Sequence, residues 1–331
     1  MDFASIFGEG LRTAFSAQAA AYALLAIGLN LHFGFTGLLN IGQVGFMLVG
    51  AYGVGITVAT FGGSMWLGIV VSVALAVVLA LLIGIPTLRL RADYFAITTI
   101  AVAEVLRLFF RSSTAEPLTG GPFGLQSIAG EFFALNPIPS GSYGIGRLSY
   151  SHAQLWALLV TWAVAILFTV VLILLIRSPW GRVIKAIRDD EDVARGLGKN
   201  VFSYKLQSLM IGGVIGALGG AMFAISGQTV NPDSYLPEVT FIAYTVLIIG
   251  GVASRVGPLL GAVIFWFLFS SLQATIRQAG AADYLPDLLT GGGAVGAVSR
   301  AAIGVALVLL MVYRPHGILG NRREMVLGVT R

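Results

Sequence analysis

The sequence predicts an all-α integral membrane protein, and both its composition and its apolar pattern lead to that class. Of the 331 residues, 57% are hydrophobic and 11% are charged, whereas roughly 25% of the residues in soluble domains are charged. Nine apolar stretches approach or exceed the length that crosses a bilayer: 11–31, 37–59, 66–86, 93–110, 153–176, 206–227, 239–253, 257–277 and 295–313. Because several are short or broken by glycine, we predict eight to ten transmembrane helices, with glycine-rich segments that could re-enter the membrane.

The basic residues predict how the chain is oriented. They lie at the ends of apolar stretches, so the net charge of +5 indicates the positive-inside pattern of membrane proteins and not nucleic-acid binding. The positions assigned to the cytoplasm are the segment 177–205, Arg89, Arg91 and the C-terminal bases Arg314, Arg322, Arg323 and Arg331. The segment 112–152 has a single base, Arg147, and we expect it to form an external loop region.

A short amphipathic helix is predicted inside 177–205, a densely charged segment between two apolar stretches. Asp189 or Asp190 can cap its first turn, where acids also suit the helix dipole. The apolar residues that we expect on one face are spaced by one and four positions: Val193, Ala194 and Leu197. Gly198 and Asn200 then supply a stop. A merely solvated basic loop would need no apolar face, so we interpret the segment as a surface that docks a partner.

Polar residues also occur at membrane depth in the segment Gly34–Phe46. They alternate there with glycines: Thr36, Asn40 and Gln43. Polar side chains and broken helices are tolerated at this depth where they line a cavity, and small residues also allow helices to pack closely. Both interpretations, a substrate path and close packing, stay open. The fourth apolar stretch adds three residues that could line the same cavity: Tyr94, Thr98 and Thr99.

Two further patterns concern contacts inside the membrane. Glu104 and Arg107 are three residues apart on one helix face and can pair. A charge at the bilayer centre costs about 2.5–3.5 kcal/mol on the insertion scale, so the pair is either structural or the mark of an ion-coupled carrier. The second pattern is a series of small-xxx-small steps, which predicts close approach between helices: Gly212, Gly216 and Gly220.

The sequence lacks the motifs of common catalytic and ATP-binding sites. No Walker A pattern occurs, since Gly198 and Lys199 are followed by Asn200. The absence of cysteine excludes a thiolate nucleophile or a Cys metal site, and the three histidines are far apart in sequence: His32, His152 and His316. We therefore predict a protein that is not an enzyme and holds no cofactor or metal. Its apolar spans and docking segment suggest a transport path through the membrane whose driving force is supplied by another protein.

Five segments, in order along the chain, carry a resemblance to a known family: GLNLHFGFTGLLNIGQVGF, LRLRADYFAITTIAVAEVLRL, TGGPFGL, the loop 178–205 and GGVASRVGPLLGA. The chain resembles the LivM-like permease subunits of branched-chain amino acid ABC importers over residues 20–320. The EAA-x-x-x-G coupling motif of ABC importers matches at Asp192, Val193, Ala194 and Gly198, with Asp in place of Glu and Val in place of the first Ala.

The resemblance implies a multi-pass permease of the bacterial cytoplasmic (inner) membrane, with 1–331 as one permease domain and 177–205 as its cytoplasmic coupling loop. Its implied partners are a second, LivH-like permease subunit, two cytoplasmic ATPase subunits that bind the ATP, and an extracytoplasmic substrate-binding protein. The residues implied in coupling are Asp192, Val193, Ala194, Leu197 and Gly198. Two alternatives stay open, a permease of a urea or amide ABC importer and a secondary carrier that uses Glu104 and Arg107.

Overall fold

Helices account for most of the residues that the computed structural model describes, which are 2–145, 148–281, 294–313 and 317–319. The helices are α1 Phe3–Ala14, α2 Ala17–Leu29, α3 Gln43–Gly55, α4 Met65–Thr87, α5 Ala92–Arg111, α6 Glu116–Thr119, α7 Gly130–Ala134, α8 His152–Arg177, α9 Pro179–Asp189, α10 Glu191–Gly196, α11 Val201–Gly227, α12 Glu238–Gly250, α13 Gly257–Ala281 and α14 Ala294–Tyr313. Two π-helical segments, Asn30–Thr36 and Ile56–Thr60, extend α2 and α3. Arg147, His316 and the C-terminal bases lie outside the described residues.

Each apolar stretch that the sequence predicts carries a helix, and the all-α membrane class is confirmed. Within the described residues, six helices are long and apolar enough to cross a bilayer: α2 and α3 with their π-helical segments, α4, α8, α11 and α13. Helix α5 contains four charged residues and α12 has only 13 residues, about 20 Å at 1.5 Å per residue. Neither has the composition or length of an ordinary span, so the count of eight to ten stays a prediction.

The structure corrects the boundaries of the first two predicted spans. The stretch 11–31 is divided, because α1 ends at Ala14 and the Ser16 side chain caps α2 by accepting from the Ala19 N–H. Helix α1 then packs on α13, where Phe7 and Phe267 meet edge to face at 5.5 Å. The stretch 37–59 is helical only from Gln43 onwards.

Helices α2, α3 and α11 form the centre of the protein, and glycine allows them to approach closely. A Cβ atom on Gly220 would lie 1.9 Å from the Met47 carbonyl oxygen on α3, and one on Gly212 would lie 2.7 Å from the Gly28 carbonyl oxygen on α2. No side chain fits at such distances. The small-xxx-small prediction is therefore confirmed, and these steps bring α11 against both neighbours.

Helices α4 and α8 lie outside this centre and turn apolar side chains outward. The exposed residues include Val78 and Leu82 on α4 and Leu167 and Leu174 on α8. An outward apolar face is what a helix in contact with lipid tails requires.

The segment 112–152 is more structured than a plain loop. It contains α6, α7 and three of four short strands, which are β1 Leu125–Gln126, β2 Ser142–Ile145, β3 Leu148–Ser151 and β4 Thr229–Val230. The antiparallel pair β1–β4 joins this segment to the connection after α11. The Tyr150 hydroxyl donates to the Arg12 carbonyl at 3.0 Å. These contacts gather the connections at one end of the bundle.

The opposite end, which we call the basic end, carries α9 and α10. Arg89, Lys199 and Lys205 line one groove there, as the sequence predicts for segments on the same side of the membrane. The location of this end in the cytoplasm stays a prediction of the positive-inside rule.

Candidate functional site

The second apolar stretch begins with an interruption of helical structure. The π-helical segment Asn30–Thr36 ends where Gly37 adopts a left-handed conformation with φ of 77°. Residues 37–42, which we call the helix break, are not helical, and α3 begins at Gln43. Non-helical backbone at membrane depth must find partners inside the protein. Neighbouring residues therefore have to supply hydrogen-bond partners for the backbone of the helix break.

A buried polar network supplies part of that support. The Asn40 side-chain amide donates to Gln43 Oε1 at 2.8 Å and to His32 Nδ1 at 3.2 Å. Gln43 Nε2 donates to the Gly212 carbonyl at 3.1 Å, and His32 Nε2 lies 3.2 Å from the Leu209 carbonyl. His32, Asn40 and Gln43 are all fully buried. Because buried polar groups are stable only when they are hydrogen-bonded, this network holds the helix break against α11.

Two threonines extend this support to neighbouring helices. The Thr36 hydroxyl lies 2.6 Å from the Ser208 hydroxyl on α11. The Thr99 hydroxyl on α5 accepts from the Ile41 N–H at 3.1 Å. On the other side, the Tyr244 hydroxyl of α12 donates to the Asn40 carbonyl at 3.1 Å. The helix break is thus held between α5, α11 and α12.

The structure does not bring all six expected path residues to one cavity. Thr36, Asn40, Gln43 and Thr99 are buried, and each is hydrogen-bonded inside the chain. Tyr94, in contrast, is 59% exposed, and Thr98 is half-exposed with its hydroxyl bonded to the Tyr94 carbonyl. Thr99 is buried on a different side of α5 from Tyr94, and the assignment of Tyr94, Thr98 and Thr99 to a substrate path stays a prediction.

An open apolar groove lies beside the helix break. It has a volume of 370 Å³, and Leu39 and Ile41 of the break form one wall. Phe241 and Thr245 of α12 form the other wall. Helix α5 lies on the other side of the break, where the Thr99 hydroxyl accepts from the Ile41 N–H. Its exposed residues Tyr94 and Ile97 lie on a different side of that helix. The helix break therefore lies between α5 and α12, and the apolar groove is formed by the break and α12.

The predicted short helix at the basic end is α10. Asp190 is its cap, and the Asp190 carboxylate accepts from the N–H groups of Asp192 and Val193 at 2.9 and 3.0 Å. Gly198 follows the helix in a left-handed conformation with φ of 76°. Asn200 does not end α10 but caps the start of α11, where its side chain accepts from the Ser203 N–H at 3.2 Å.

The three apolar residues of this helix do not share one exposed face, which corrects the prediction. Val193 is 58% exposed and Leu197 is 73% exposed. They lie four residues apart, so they are neighbours on the same side. Ala194 is 2% exposed and packs inward against Ile187 of α9 and Val201 of α11. The exposed apolar surface of α10 is therefore Val193 and Leu197, while Ala194 fixes α10 to the helices around it.

Ion pairs surround this exposed surface. Arg195 contacts the carboxylates of Glu191 and Asp192 at 3.0 and 2.9 Å, and Lys205 also contacts Glu191. Exposed pairs of this kind contribute little stability, about 0–1 kcal/mol each. They orient α10 and surround its two apolar side chains with charge.

A cavity of 290 Å³ lies beside the contact of α9 with the helix break, and residues of α9, α10 and the break line it. Its lining includes Thr36, Gly37 and Leu38 on the membrane side and Arg188 and Lys205 on the other. Sequence reasoning missed Arg188, His32 and Ser208 as part of this region. Arg188 is next to Asp189 and His32 lies two residues before the segment Gly34–Phe46, whereas Ser208 has no such neighbour in the sequence.

The predicted pairing of Glu104 with Arg107 is confirmed, and a third partner joins it. Arg107 contacts Glu104 at 2.6 Å and Asp233 at 2.9 Å. Asp233 belongs to the connection between α11 and α12, so Arg107 ties α5 to that connection. Within the described residues, no cluster of three or more His, Cys, Asp or Glu side chains could hold a metal ion.

The fold and these sites define a helical, multi-pass membrane permease. The family model for the branched-chain amino acid transport system permease component matches residues 11–313, and the chain belongs to this family. The family consists of transport components and not of enzymes. The chain is 27% identical over 316 residues to the high-affinity branched-chain amino acid permease protein LivM of Escherichia coli, covering 92% of this chain and 69% of that protein.

Two further relatives are named for different substrates. A probable branched-chain amino acid permease protein LivM of Methanocaldococcus jannaschii is 24% identical over 344 residues, with 91% of each chain covered. The nucleoside ABC transporter permease protein NupC of Lactococcus lactis is 28% identical over 260 residues, covering 76% of this chain and 78% of that protein.

Proposed function

We propose that this chain is the permease subunit of an ABC importer for branched-chain or related neutral amino acids in the bacterial cytoplasmic (inner) membrane. It forms half of the translocation path and couples to cytoplasmic ATPases. The observation that carries the proposal is the exposed pair Val193 and Leu197 on α10. Two apolar side chains on a short, capped helix at the basic end suit insertion into a groove of a partner protein.

The substrate path runs along the helix break, between α5 and α12, with a second, LivH-like permease subunit opposite. Tyr94 and Thr98 face the path directly. Thr36, Asn40, Gln43 and Thr99 shape it from behind, because they hold the helix break in place. The apolar residues Leu39 and Ile41 suit contact with an aliphatic side chain, while the non-helical backbone of the break offers polar groups to the ends of an amino acid.

Transport is driven by the partners of this chain. An extracytoplasmic binding protein delivers the substrate at the end that carries 112–152. Two ATPase subunits bind ATP, close on it and push on α10. In this step Val193 and Leu197 contact the ATPase, and Ala194 passes the displacement to α9 and α11. Asp192 supports the first turn of the helix through its ion pair with Arg195, and Gly198 ends the helix. This chain binds no ATP itself.

The first test is co-purification of the tagged chain from its native membrane, followed by uptake in liposomes. The expected result is a complex with a second permease and two ATPases, and leucine uptake that requires ATP and a binding protein. Transport by the chain alone, abolished by Glu104→Gln, would contradict the proposal and support a secondary carrier instead.

The nucleoside permease among its relatives gives a specific reason to test a second substrate class. Uptake by the complete complex should be measured for labelled leucine, adenosine and urea, each with the other two as competitors. The proposal expects leucine uptake that isoleucine and valine inhibit and that adenosine and urea do not. Saturable adenosine or urea uptake without leucine uptake would keep the importer class and replace the substrate.

A further inference from the structure

We propose that Arg188 is a positioning residue that transmits movement of α10 to the helix break. The inference rests on the proposed function and identifies the connection through which that function is carried inside this chain. It starts from an arginine in the last turn of α9, two residues before the Asp190 cap of α10. The Arg188 side chain is only 7% exposed, although it lies in the most densely charged part of the sequence.

The main contact of Arg188 is with the membrane part of the protein. Its Nη1 atom donates to the Gly34 carbonyl at 2.8 Å, and Gly34 lies inside the π-helical segment Asn30–Thr36. This carbonyl is among the last four of the segment, which a helix leaves without an internal partner. A cation at that end also matches the helix dipole. The arginine therefore satisfies a group that would otherwise be unpaired at the start of the helix break.

Three further contacts fix this connection. The Asp189 carboxylate accepts from Arg188 Nε and Nη2 at 3.1 and 2.9 Å and so orients the guanidinium. The Lys185 ammonium lies 5.5 Å from the centre of the Phe35 ring, one residue after Gly34. Gly37 contacts the Arg188 side chain so closely that an added Cβ would lie 3.2 Å from its Cγ atom. Helix α9 is thus attached to the C-terminal part of the π-helical segment and to the first residue of the helix break.

The same π-helical segment is tied to a second connection at the basic end. Asn30 Oδ1 accepts from the Ala253 N–H at 2.9 Å, and Asn30 Nδ2 donates to the Ser254 carbonyl at 2.7 Å. The segment is therefore held on one side by α9 and on the other by the turn before α13. A displacement of α9 relative to that turn must change the conformation of the segment between them.

Movement of α10 reaches Arg188 through packing. Ala194 and Ile187, the residue before Arg188, belong to one buried apolar cluster with Val201. Packed interiors transmit small displacements because they have little free volume. The sequence of contacts is α10, Ile187, Arg188, Gly34 and the helix break. In this series of contacts, Arg188 supplies the hydrogen bond to the Gly34 carbonyl, whose geometry depends on the position of α9.

The test compares variants of the complete complex, purified with its ATPases and second permease and reconstituted with binding protein and leucine. Arg188→Gln removes the charge and the reach of the side chain, and Arg188→Lys keeps the charge and a donor. Arg182→Gln is the matched control, because Arg182 is an exposed base on the same helix. Three quantities are measured for each: the amount of ATPase bound, the rate of ATP hydrolysis and the leucine imported per ATP hydrolysed.

We expect Arg188→Gln to bind the ATPases as the wild type does and to hydrolyse ATP. Its leucine imported per ATP should fall by about tenfold or more, as for the loss of a buried charge-assisted hydrogen bond. Arg188→Lys should recover part of the loss, and Arg182→Gln should match the wild type. If Arg188→Gln imports as much leucine per ATP hydrolysed as the wild type, this inference is overturned and the proposed function is not affected.

Two other outcomes are also decisive. Loss of ATPase binding in Arg188→Gln, with no recovery in Arg188→Lys, would overturn the inference, because the arginine would then support the docking surface itself. A wild-type complex without ATPases would overturn the proposed function and this inference with it.

Since the chain has no native cysteine, a spin label on Leu39→Cys provides a second measurement. Its ATP-dependent change in mobility should disappear in Arg188→Gln.

Discussion

The exposed pair on α10 gives the sharpest prediction, which is the loss of ATPase binding in the double variant Val193→Ala, Leu197→Ala. The change removes two carbons from Val193 and three from Leu197, whose exposed fractions are 58% and 73%. At about 0.8 kcal/mol per buried carbon, scaled by those fractions, the lost contact is roughly 2–3 kcal/mol. That corresponds to binding that is about 30- to 150-fold weaker.

The assay is the dissociation constant of the ATPases for the purified permease pair in lipid nanodiscs. The matched control is Val78→Ala, Leu82→Ala on α4, which removes the same atoms at the same spacing. Those side chains are 48% and 69% exposed, on a helix whose outward face we assign to lipid. The control should bind the ATPases like the wild type. Equal binding by the α10 variant and the wild type would refute the docking surface.

Three further predictions concern the supporting structure. Gly212→Ala should destabilise the protein in a thermal unfolding assay, because the new Cβ would lie 2.2 Å from His32 Nε2. Gly304→Ala is its control, since nothing lies within 4 Å there, and equal melting of the two would contradict the reasoning. Asp190→Ala removes a cap worth about 1 kcal/mol, so amide exchange in α10 should accelerate while exchange in α8 stays unchanged. Glu104→Gln should leave ATP-driven uptake intact, and loss of uptake would instead point to a transport role for that carboxylate.

Local patterns in the sequence were sufficient for the membrane class, the approximate position of most helices and an acidic cap for α10, which they left between Asp189 and Asp190. These features depend on neighbours within a few residues, so their signals are present in short windows of sequence. The Asp190 cap reaches the N–H groups two and three residues ahead, and Glu104 pairs with Arg107 one helical turn away. The glycine steps of α11 also predicted close approach, although they did not say which helices would meet.

The face on which a residue lies was harder to predict. Val193, Ala194 and Leu197 fit one side of a helix by spacing alone. The structure nevertheless buries Ala194 and exposes the other two, because α9 and α11 contact α10 on that side. A spacing pattern defines a broad arc of a helix surface, and only the neighbouring helices decide which part of the arc is covered.

By itself, the sequence determined that this protein is a helical membrane permease with a capped, charged helix at its basic end. Only the tertiary structure decided how the helix break is held and how it is connected to α10. The partners there are far apart along the chain: Thr36 and Ser208 are separated by 172 positions, and Arg188 and Gly34 by 154. A hydrogen bond between such residues has no local periodicity, so it becomes visible only when packing has brought the helices together.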